Sequence, residues 1–196
     1  MKRSTIYLLS LIALVLILGG MACNGYNGVI KADENVANKW NDVQSSYQRR
    51  ADLIPNLVNT VKGEANFEKT TLENVIAARA SATQMKIDPT NLTPEKLQQF
   101  QASQGQLSQA LGRLLVVSEN YPNLRANEGF RNLQAQLEGT ENRINISRND
   151  FNASVNNYNV RIRSFPLNIF SGMFGFQKKL GFTAEESAQK APEVKF

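Results

Sequence analysis

Six charged residues fall on the apolar stripes of a chain whose hydrophobic spacing is helical, and they are the residues best able to do chemistry. They are Arg50, Glu64, Glu68, Arg79, Glu141 and Arg148. An isolated charge is costly to bury, so charges that face inward should pair across helices. Two interpretations stay open: ion pairs that fix the register of the helices, or a polar groove that binds a peptide or another ligand. Arginine suits a groove because its planar guanidinium holds a carboxylate through two parallel hydrogen bonds.

A metal centre built from carboxylates alone is the second chemistry that the sequence suggests. Its ligands would be Glu64, Glu68, Glu119 and Glu141. Helical bundles that hold two metal ions use Glu-x-x-His pairs, and this chain has no histidine. The missing histidine also removes the commonest general base, and the lone Cys23 excludes a disulfide within the chain. We therefore predict no catalytic residue, no cofactor and no metal ion, and we expect the protein not to be an enzyme.

The net charge is weakly basic and does not indicate nucleic-acid binding. The formal charge is +5 at pH 7, and Lys2 and Arg3 supply two of those charges ahead of residue 6. The remaining basic residues are spread along the chain. Surfaces that bind nucleic acid cluster their Lys and Arg and interleave them with aromatic residues, a pattern that is missing from this sequence. We expect no nucleic-acid partner.

An uncharged apolar run over residues 6–22 predicts a membrane-anchoring segment. As a helix it would be roughly 25 Å long, at the short end for a membrane span. Lys2 and Arg3 should keep the N-terminus in the cytoplasm and place the rest of the chain on the extracytoplasmic side. The run ends in Gly20-Met21-Ala22-Cys23. A lipoprotein signal with lipidation at Cys23 and an uncleaved signal anchor are both open, and either makes residues 1–23 a segment of its own.

The first helical stripe of the body crosses a proline. The stripe consists of Val36, Trp40, Val43, Tyr47, Arg50, Ile54, Leu57 and Val61. Pro55 lacks the N–H that would bond the carbonyl of Ala51. We predict a continuous helix that bends there, with a groove opening at Asn56, rather than a helix that restarts after Asp52. Whether this helix ends at Gly63 stays open.

Three further helices follow. Asn66 is the predicted N-cap of the second, and Thr93 caps a third that begins at Pro94. The side of the third helix that is rich in Gln and Ser is interpreted as a solvated face. A fourth long helix runs from Phe130 to Phe165. The predicted fold is all-α: an antiparallel up-and-down four-helix bundle over residues 24–166, followed by an apolar tail, residues 167–196, that packs on the bundle or on a membrane.

The sequence resembles the LemA family over nearly its whole length after residue 25. The matching blocks are Tyr26-Asn27, Arg50-Ala51-Asp52-Leu53-Ile54-Pro55-Asn56-Leu57-Val58, Ala78-Arg79, Glu119-Asn120-Tyr121-Pro122-Asn123-Leu124, Phe130-Arg131-Asn132-Leu133-Gln134, Thr140-Glu141-Asn142-Arg143-Ile144, Tyr158-Asn159 and Phe165-Pro166-Leu167-Asn168. The resemblance implies a small bacterial membrane-tethered protein with an extracytoplasmic helical bundle and no established enzymatic activity. It also implies a membrane-associated protease as one candidate partner.

These observations predict a non-catalytic, membrane-anchored scaffold that binds another protein of the cell envelope. Two alternatives belong to other classes. The first is a carboxylate-based metal-binding or ligand-binding protein. The second is a membrane-organising module that acts through the C-terminal tail.

Overall fold

The computed structural model describes residues 3–183, and before residue 23 it describes only part of the side chains. Its helices are α1 (Arg3–Lys62), α2 (Lys69–Gln84), α3 (Pro94–Ser118), α4 (Pro122–Ala126), α5 (Glu128–Arg163) and α6 (Leu167–Phe170), with a 3₁₀ turn at Pro89–Asn91. Residues 3–183 contain no strand, so the all-α prediction is confirmed for them. The most extensive helix pair is α1 with α5, and α2 pairs next most extensively with α3. The up-and-down bundle topology stays a prediction.

Helix α1 continues through Pro55, as predicted, and ends at Lys62. The predicted N-cap at Asn66 is wrong. Asn66 has a φ of 68°, in the left-handed region, whereas Glu68 occupies the N-cap position of α2. An asparagine tolerates this conformation because its side chain can hydrogen-bond locally. Asn66 is therefore part of the turn that precedes α2. The N-cap at Thr93 is confirmed, since its Oγ1 accepts a hydrogen bond from the backbone N–H of Lys96 at 3.3 Å.

The buried apolar residues form two separate clusters along the helices. The first core contains Val29, Ala32, Val36, Trp40, Val43, Tyr47, Ile87, Leu97, Phe100, Ile144, Phe151, Val155, Tyr158, Ile162 and Phe182. The second core contains Ile54, Leu57, Val58, Val61, Leu72, Val75, Ala82, Leu107, Leu111, Leu114, Leu124, Phe130 and Leu137. On each of α1, α3 and α5, seven residues separate the last buried residue of one core from the first buried residue of the other. A polar layer lies within that interval.

The chain after α6 returns along α5 and is held there by two asparagines. Asn152 Nδ2 donates to the carbonyl of Phe182 at 3.1 Å, and its Oδ1 accepts from the N–H of Phe182 at 2.8 Å. Asn159 makes the same pair of bonds to Lys179, at 2.8 and 2.9 Å. Seven helical residues rise about 10.5 Å and three extended residues span about 10 Å, so the two spacings match. This asparagine ladder fixes residues 179–182 antiparallel to α5.

Two glycines make close approaches that a side chain would block. A Cβ on Gly181 would collide with the Oδ1 of Asn152, the atom that accepts from Phe182. A Cβ on Gly25 would lie 2.9 Å from Cγ of Leu167, where α6 packs on α1. The ring of Phe182 is buried in the first core, stacked at 6.0 Å on Trp40 and edge-on at 5.5 Å to Phe151. The tail therefore contributes a buried ring to the first core.

The N-terminal part of α1 carries exposed apolar side chains, among them Leu16 and Ile17, and crosses residue 23 without a break. Among the described residues, no helix combines the length and apolar character needed to cross a membrane. Cys23 is exposed. The membrane-anchoring segment, the lipidation of Cys23 and the division at residues 23 and 166 stay predictions. Residues 184–196 of the predicted tail lie outside the described part of the chain.

Replacement of Phe182 by alanine should lower the free energy of unfolding by about 3 kcal/mol, because it removes a buried aromatic ring and leaves a cavity against Trp40 and Phe151. Leu180→Ala is the matched control, since Leu180 is half exposed and should cost less than about 1 kcal/mol. Urea denaturation of both variants measures the difference. Equal losses would show that the tail does not belong to the first core.

Candidate functional site

The polar layer between the two cores is centred on Arg50. Arg50 is only 3% exposed, and on α1 it lies between Tyr47 of the first core and Ile54 of the second. The helical spacing that buries Tyr47 and Ile54 also turns Arg50 inward, because residues three and four apart share a helix face. A guanidinium in this position must find hydrogen-bond acceptors on neighbouring helices.

The acceptors come from α3 and α5. Nη1 of Arg50 donates to Oε2 of Glu141 at 3.1 Å and to Oγ of Ser108 at 2.9 Å, while Nη2 donates to Oε1 of Gln104 at 2.9 Å. Gln104 extends the network to α2, since its Nε2 donates to the backbone carbonyl of Ala82 at 3.2 Å. One network thus joins α1, α2, α3 and α5. The Nε of Arg50 is buried without a partner among the described residues.

The aromatic ring of Tyr47 lies against the guanidinium of Arg50, with 5.1 Å from Cζ to the ring centroid. Burial raises the pKa of the Tyr47 hydroxyl above its ordinary value, and the nearby charges of Arg148 and Arg50 oppose that rise. The hydroxyl is therefore protonated near neutral pH. It can donate or accept a hydrogen bond, but it is poorly suited to act as a general base.

Arg148 is the second guanidinium of the layer. It is half-buried on α5, with its Cζ 4.8 Å from the ring centroid of Phe182. Arg50 is paired with Glu141, whereas Arg148 forms no ion pair with a carboxylate in the part of the chain that the structure describes. Counted over residues 3–183, the layer therefore holds two guanidiniums and one carboxylate, an excess of one positive charge.

These side chains line a cleft of about 370 Å³ between α1, α3 and α5, which we call the arginine cleft. Its polar walls are formed by Tyr47, Arg50, Gln98, Gln101, Gln104, Ser108, Glu141 and Arg148, and Thr183 closes one edge. A wider groove of about 640 Å³ lies between α1 and the end of α2, with Tyr47 and Gln104 shared between the two. The arginine cleft presents cationic and amide donors, which suits an anionic ligand.

Arg79 has a different partner from the predicted carboxylate. Its Nε donates to the backbone carbonyl of Ala51 at 2.9 Å. That carbonyl is the one that Pro55, having no N–H, leaves without its helical bond. A side chain of α2 thus satisfies the acceptor that the proline frees on α1. The prediction that Arg79 pairs with a charge across the helices is wrong for this reason.

The remaining predicted site residues lie away from the arginine cleft. Because α1 ends at Lys62, Glu64 is half-buried in the connection and Glu68 is exposed before α2, so neither is on a packing stripe. Glu119 is exposed at the end of α3, and Asn56 is exposed on α1. Among the described residues, no group of three His, Cys, Asp or Glu side chains comes close enough to hold a metal ion. Of the predicted residues, the structure brings together only Arg50, Glu141 and Arg148.

The sequence interpretation missed the neutral members of the network. Gln104 and Ser103 are 6% and 7% exposed, so the Gln- and Ser-rich side of α3 is not simply the solvated face we predicted. The sequence did indicate that Gln104 is buried, because it lies four residues after Phe100 and three before Leu107 on the apolar stripe of α3. The asparagine ladder was also missed, although Asn145, Asn152 and Asn159 recur at heptad spacing.

Residues 3–183 thus form an all-helical protein with a polar cleft that contains two arginines, and the sequence has no histidine to transfer protons. The chain belongs to the LemA family, whose family model matches residues 39–196. This confirms the resemblance found in the sequence. The chain is also similar to "Magnetosome protein MamQ 2" and "Magnetosome protein MamQ 1" of Paramagnetospirillum magneticum. Each is 24% identical over 186 residues, which cover 86% of this chain and 68% of the relative.

Arg50→Ala should lower the free energy of unfolding by about 2–4 kcal/mol, because charged hydrogen bonds are lost and a cavity opens between the cores. Glu141→Gln should cost about 1 kcal/mol or less, since the Glu141 side chain is 51% exposed and water screens its charge. Chemical denaturation of both variants distinguishes the two effects. A larger loss for Glu141→Gln would contradict this account of the layer.

Arg79→Met should lower the free energy of unfolding by about 1–2 kcal/mol, because the carbonyl of Ala51 then has no donor. In a Pro55→Ala background the restored N–H supplies that donor, so the same substitution should cost about 1 kcal/mol less. A double-mutant cycle measured by urea unfolding gives this coupling. Additive losses would show that Arg79 does not compensate for the proline.

Proposed function

We propose that this protein is a non-catalytic scaffold, anchored in a membrane by the N-terminal part of α1, whose helical domain binds another protein of the cell envelope from the extracytoplasmic side. The observation that carries the proposal is the continuity of α1. A single helix of 60 residues, roughly 90 Å long, leads from the apolar segment into both cores.

The exposed side chains of the apolar segment support the anchoring. Leu9, Leu16 and Ile17 are 52%, 71% and 61% exposed on α1, where burial in lipid would remove them from water. Lys2 and Arg3 precede this segment, which supports an orientation with the helical domain outside the cytoplasm. Whether Cys23 is lipidated does not alter the side on which the domain lies.

The chemistry of the arginine cleft supports binding rather than catalysis. Its walls are guanidiniums, amides, one paired carboxylate and a tyrosine whose pKa is raised by burial. Such groups hold anions and hydrogen-bond donors or acceptors in place, whereas proton transfer near neutral pH needs a group that titrates there. The magnetosome proteins that the chain resembles are named for a cellular structure and not for a reaction. A membrane-associated protease, which the family resemblance implies, stays a candidate partner.

A second candidate function has a specific observation in its favour. Apolar side chains are exposed around α6, with Phe165, Ile169 and Met173 at 77%, 60% and 82%. They adjoin Phe174, whose ring packs edge-on against Tyr26 of α1 at 5.2 Å, close to the end of the apolar segment. Such a patch suits insertion at the boundary between lipid head groups and acyl chains, so a membrane-organising role for the tail is the alternative. The separation of Glu64, Glu68, Glu119 and Glu141 gives the carboxylate metal site no comparable support.

Photocrosslinking in native membranes tests the scaffold proposal. We expect benzoylphenylalanine at Gln98, on the rim of the arginine cleft, to yield a discrete adduct with an envelope protein. The same residue at Ile146, which is exposed on another face of α5, should not. Deletion of residues 6–22 should release the protein from alkali-washed membranes and abolish the adduct. Retention after that deletion, or the same adducts at both positions, would count against the proposal.

A further inference from the structure

The short helix α6 is held against α1 directly beside the end of the apolar run. A Cβ added to Gly25 would lie 2.9 Å from Cγ of Leu167, and the ring of Phe174 packs edge-on against Tyr26 at 5.2 Å. Gly25 and Tyr26 come shortly after Ala22, the last residue of that run, at a distance of roughly 5 Å along a helix. The height of α6 is therefore fixed at the point where α1 leaves the apolar run.

The segment around α6 presents apolar side chains on two sides. Leu167 and Phe176 are partly buried and pack on the first core. Phe165, Ile169 and Met173 are exposed, and we call these three residues the α6 patch. Exposed apolar side chains that are grouped in this way mark a contact surface, whereas single ones need no explanation.

Basic side chains accompany the α6 patch. Residues 151–183 contain four basic side chains and no acidic one. The basic residues are Arg161, Arg163, Lys178 and Lys179. Lys179 is paired with Asp33, and the other three, which we call the basic rim, form no ion pair among the described residues. A Cβ on Gly28 would lie 3.1 Å from Nη1 of Arg161, which places this guanidinium roughly 9 Å along α1 from the apolar run.

A phospholipid bilayer matches both features. Its acyl boundary covers apolar side chains, and the phosphates of its head groups accept hydrogen bonds from guanidinium and ammonium groups. Position also favours lipid, because α6 adjoins a run that the proposed anchor places in the membrane. The described chain itself leads away from the α6 patch, since Thr183 lies with Arg148 at the arginine cleft, roughly 22 Å along α5 from Arg163.

We propose that the α6 patch and the basic rim form a second membrane contact, which inserts shallowly into the bilayer that holds the apolar segment and prefers anionic phospholipids. The apolar side chains enter the boundary between head groups and acyl chains, while the cations bind phosphates. The assignment rests on the proposed anchoring and specifies the lipid chemistry of the second candidate function. A single helix leaves the domain free to turn about the axis of α1, and a contact beside that axis holds it in one orientation.

Depth-dependent quenching in vesicles tests this contact. The full-length chain, with Cys23→Ser and a nitrobenzoxadiazole label on Met173→Cys, is reconstituted into phosphatidylcholine and phosphatidylglycerol in equal parts. The matched control carries the label on Ile146→Cys, at an exposed position of α5 away from the α6 patch. We expect brominated acyl chains to quench the label at position 173 and iodide to lose access to it, with the reverse at position 146.

Alkaline extraction of the same vesicles reports on the α1 anchor by itself. A chain that resists extraction while iodide quenches position 173 as strongly as position 146 would overturn the second contact and leave the anchor standing. A shielded label on a chain that alkali extracts would support the contact and contradict the anchor.

Two charge variants test the preference for anionic lipid. They are compared at the phosphatidylglycerol content that shields half of the labels at position 173. Arg163→Gln should lower the ratio of shielded to accessible label about fivefold, the effect of one cation near an anionic surface. Arg143→Gln makes the same change in net charge on an exposed part of α5 roughly 30 Å away, and it should leave the ratio unchanged. Equal effects of the two variants, or full shielding in pure phosphatidylcholine, would overturn the assignment to anionic lipid.

Discussion

The need to satisfy one buried guanidinium organises this protein. Arg50 lies where an apolar residue would have joined the two cores into one, and its charge is compatible with burial only if acceptors surround it. Those acceptors are Glu141, Ser108 and Gln104, from two other helices, and Gln104 in turn reaches a backbone carbonyl of a fourth. The network is therefore better regarded as a device for aligning helices than as a source of stability. A register shift of any of the helices would leave a buried charge without partners.

The same layer explains why a polar cleft forms between the cores. Apolar side chains close the space between helices, whereas arginine, glutamine and serine meet through a few directed bonds and leave open volume between them. The arginine cleft is that volume, and within residues 3–183 the charge of Arg148 has no carboxylate partner there. Arg50 belongs to both features, since its guanidinium forms the network and its side chain is part of the cleft wall. For Arg50, Glu141 and Arg148, the register and groove interpretations concern the same layer, and both stay predictions.

Helical periodicity was enough to predict the all-α fold, the passage of α1 through Pro55 and the cap at Thr93, because each depends on neighbours within one or two turns. It also found Arg50, Glu141 and Arg148. It assigned Glu64 and Glu68 to the same stripe because the heptad continues through them, and local spacing does not reveal that α1 stops at Lys62. The role of Arg79 depends on a carbonyl freed 28 residues earlier in the chain, a relation between two helices that no local pattern contains.

The asparagine ladder has an evolutionary consequence for the tail. Its bonds go to backbone groups and so restrict no side chain by themselves. Other contacts do restrict them: Phe182 is buried in the core, Gly181 lies against Asn152, and Lys179 contacts Asp33 and the ring of Tyr158. The number of residues between the rungs is fixed, since one insertion or deletion would move every later residue off its asparagine. This stretch should therefore keep a constant length among related chains, with variation concentrated at the exposed Leu180.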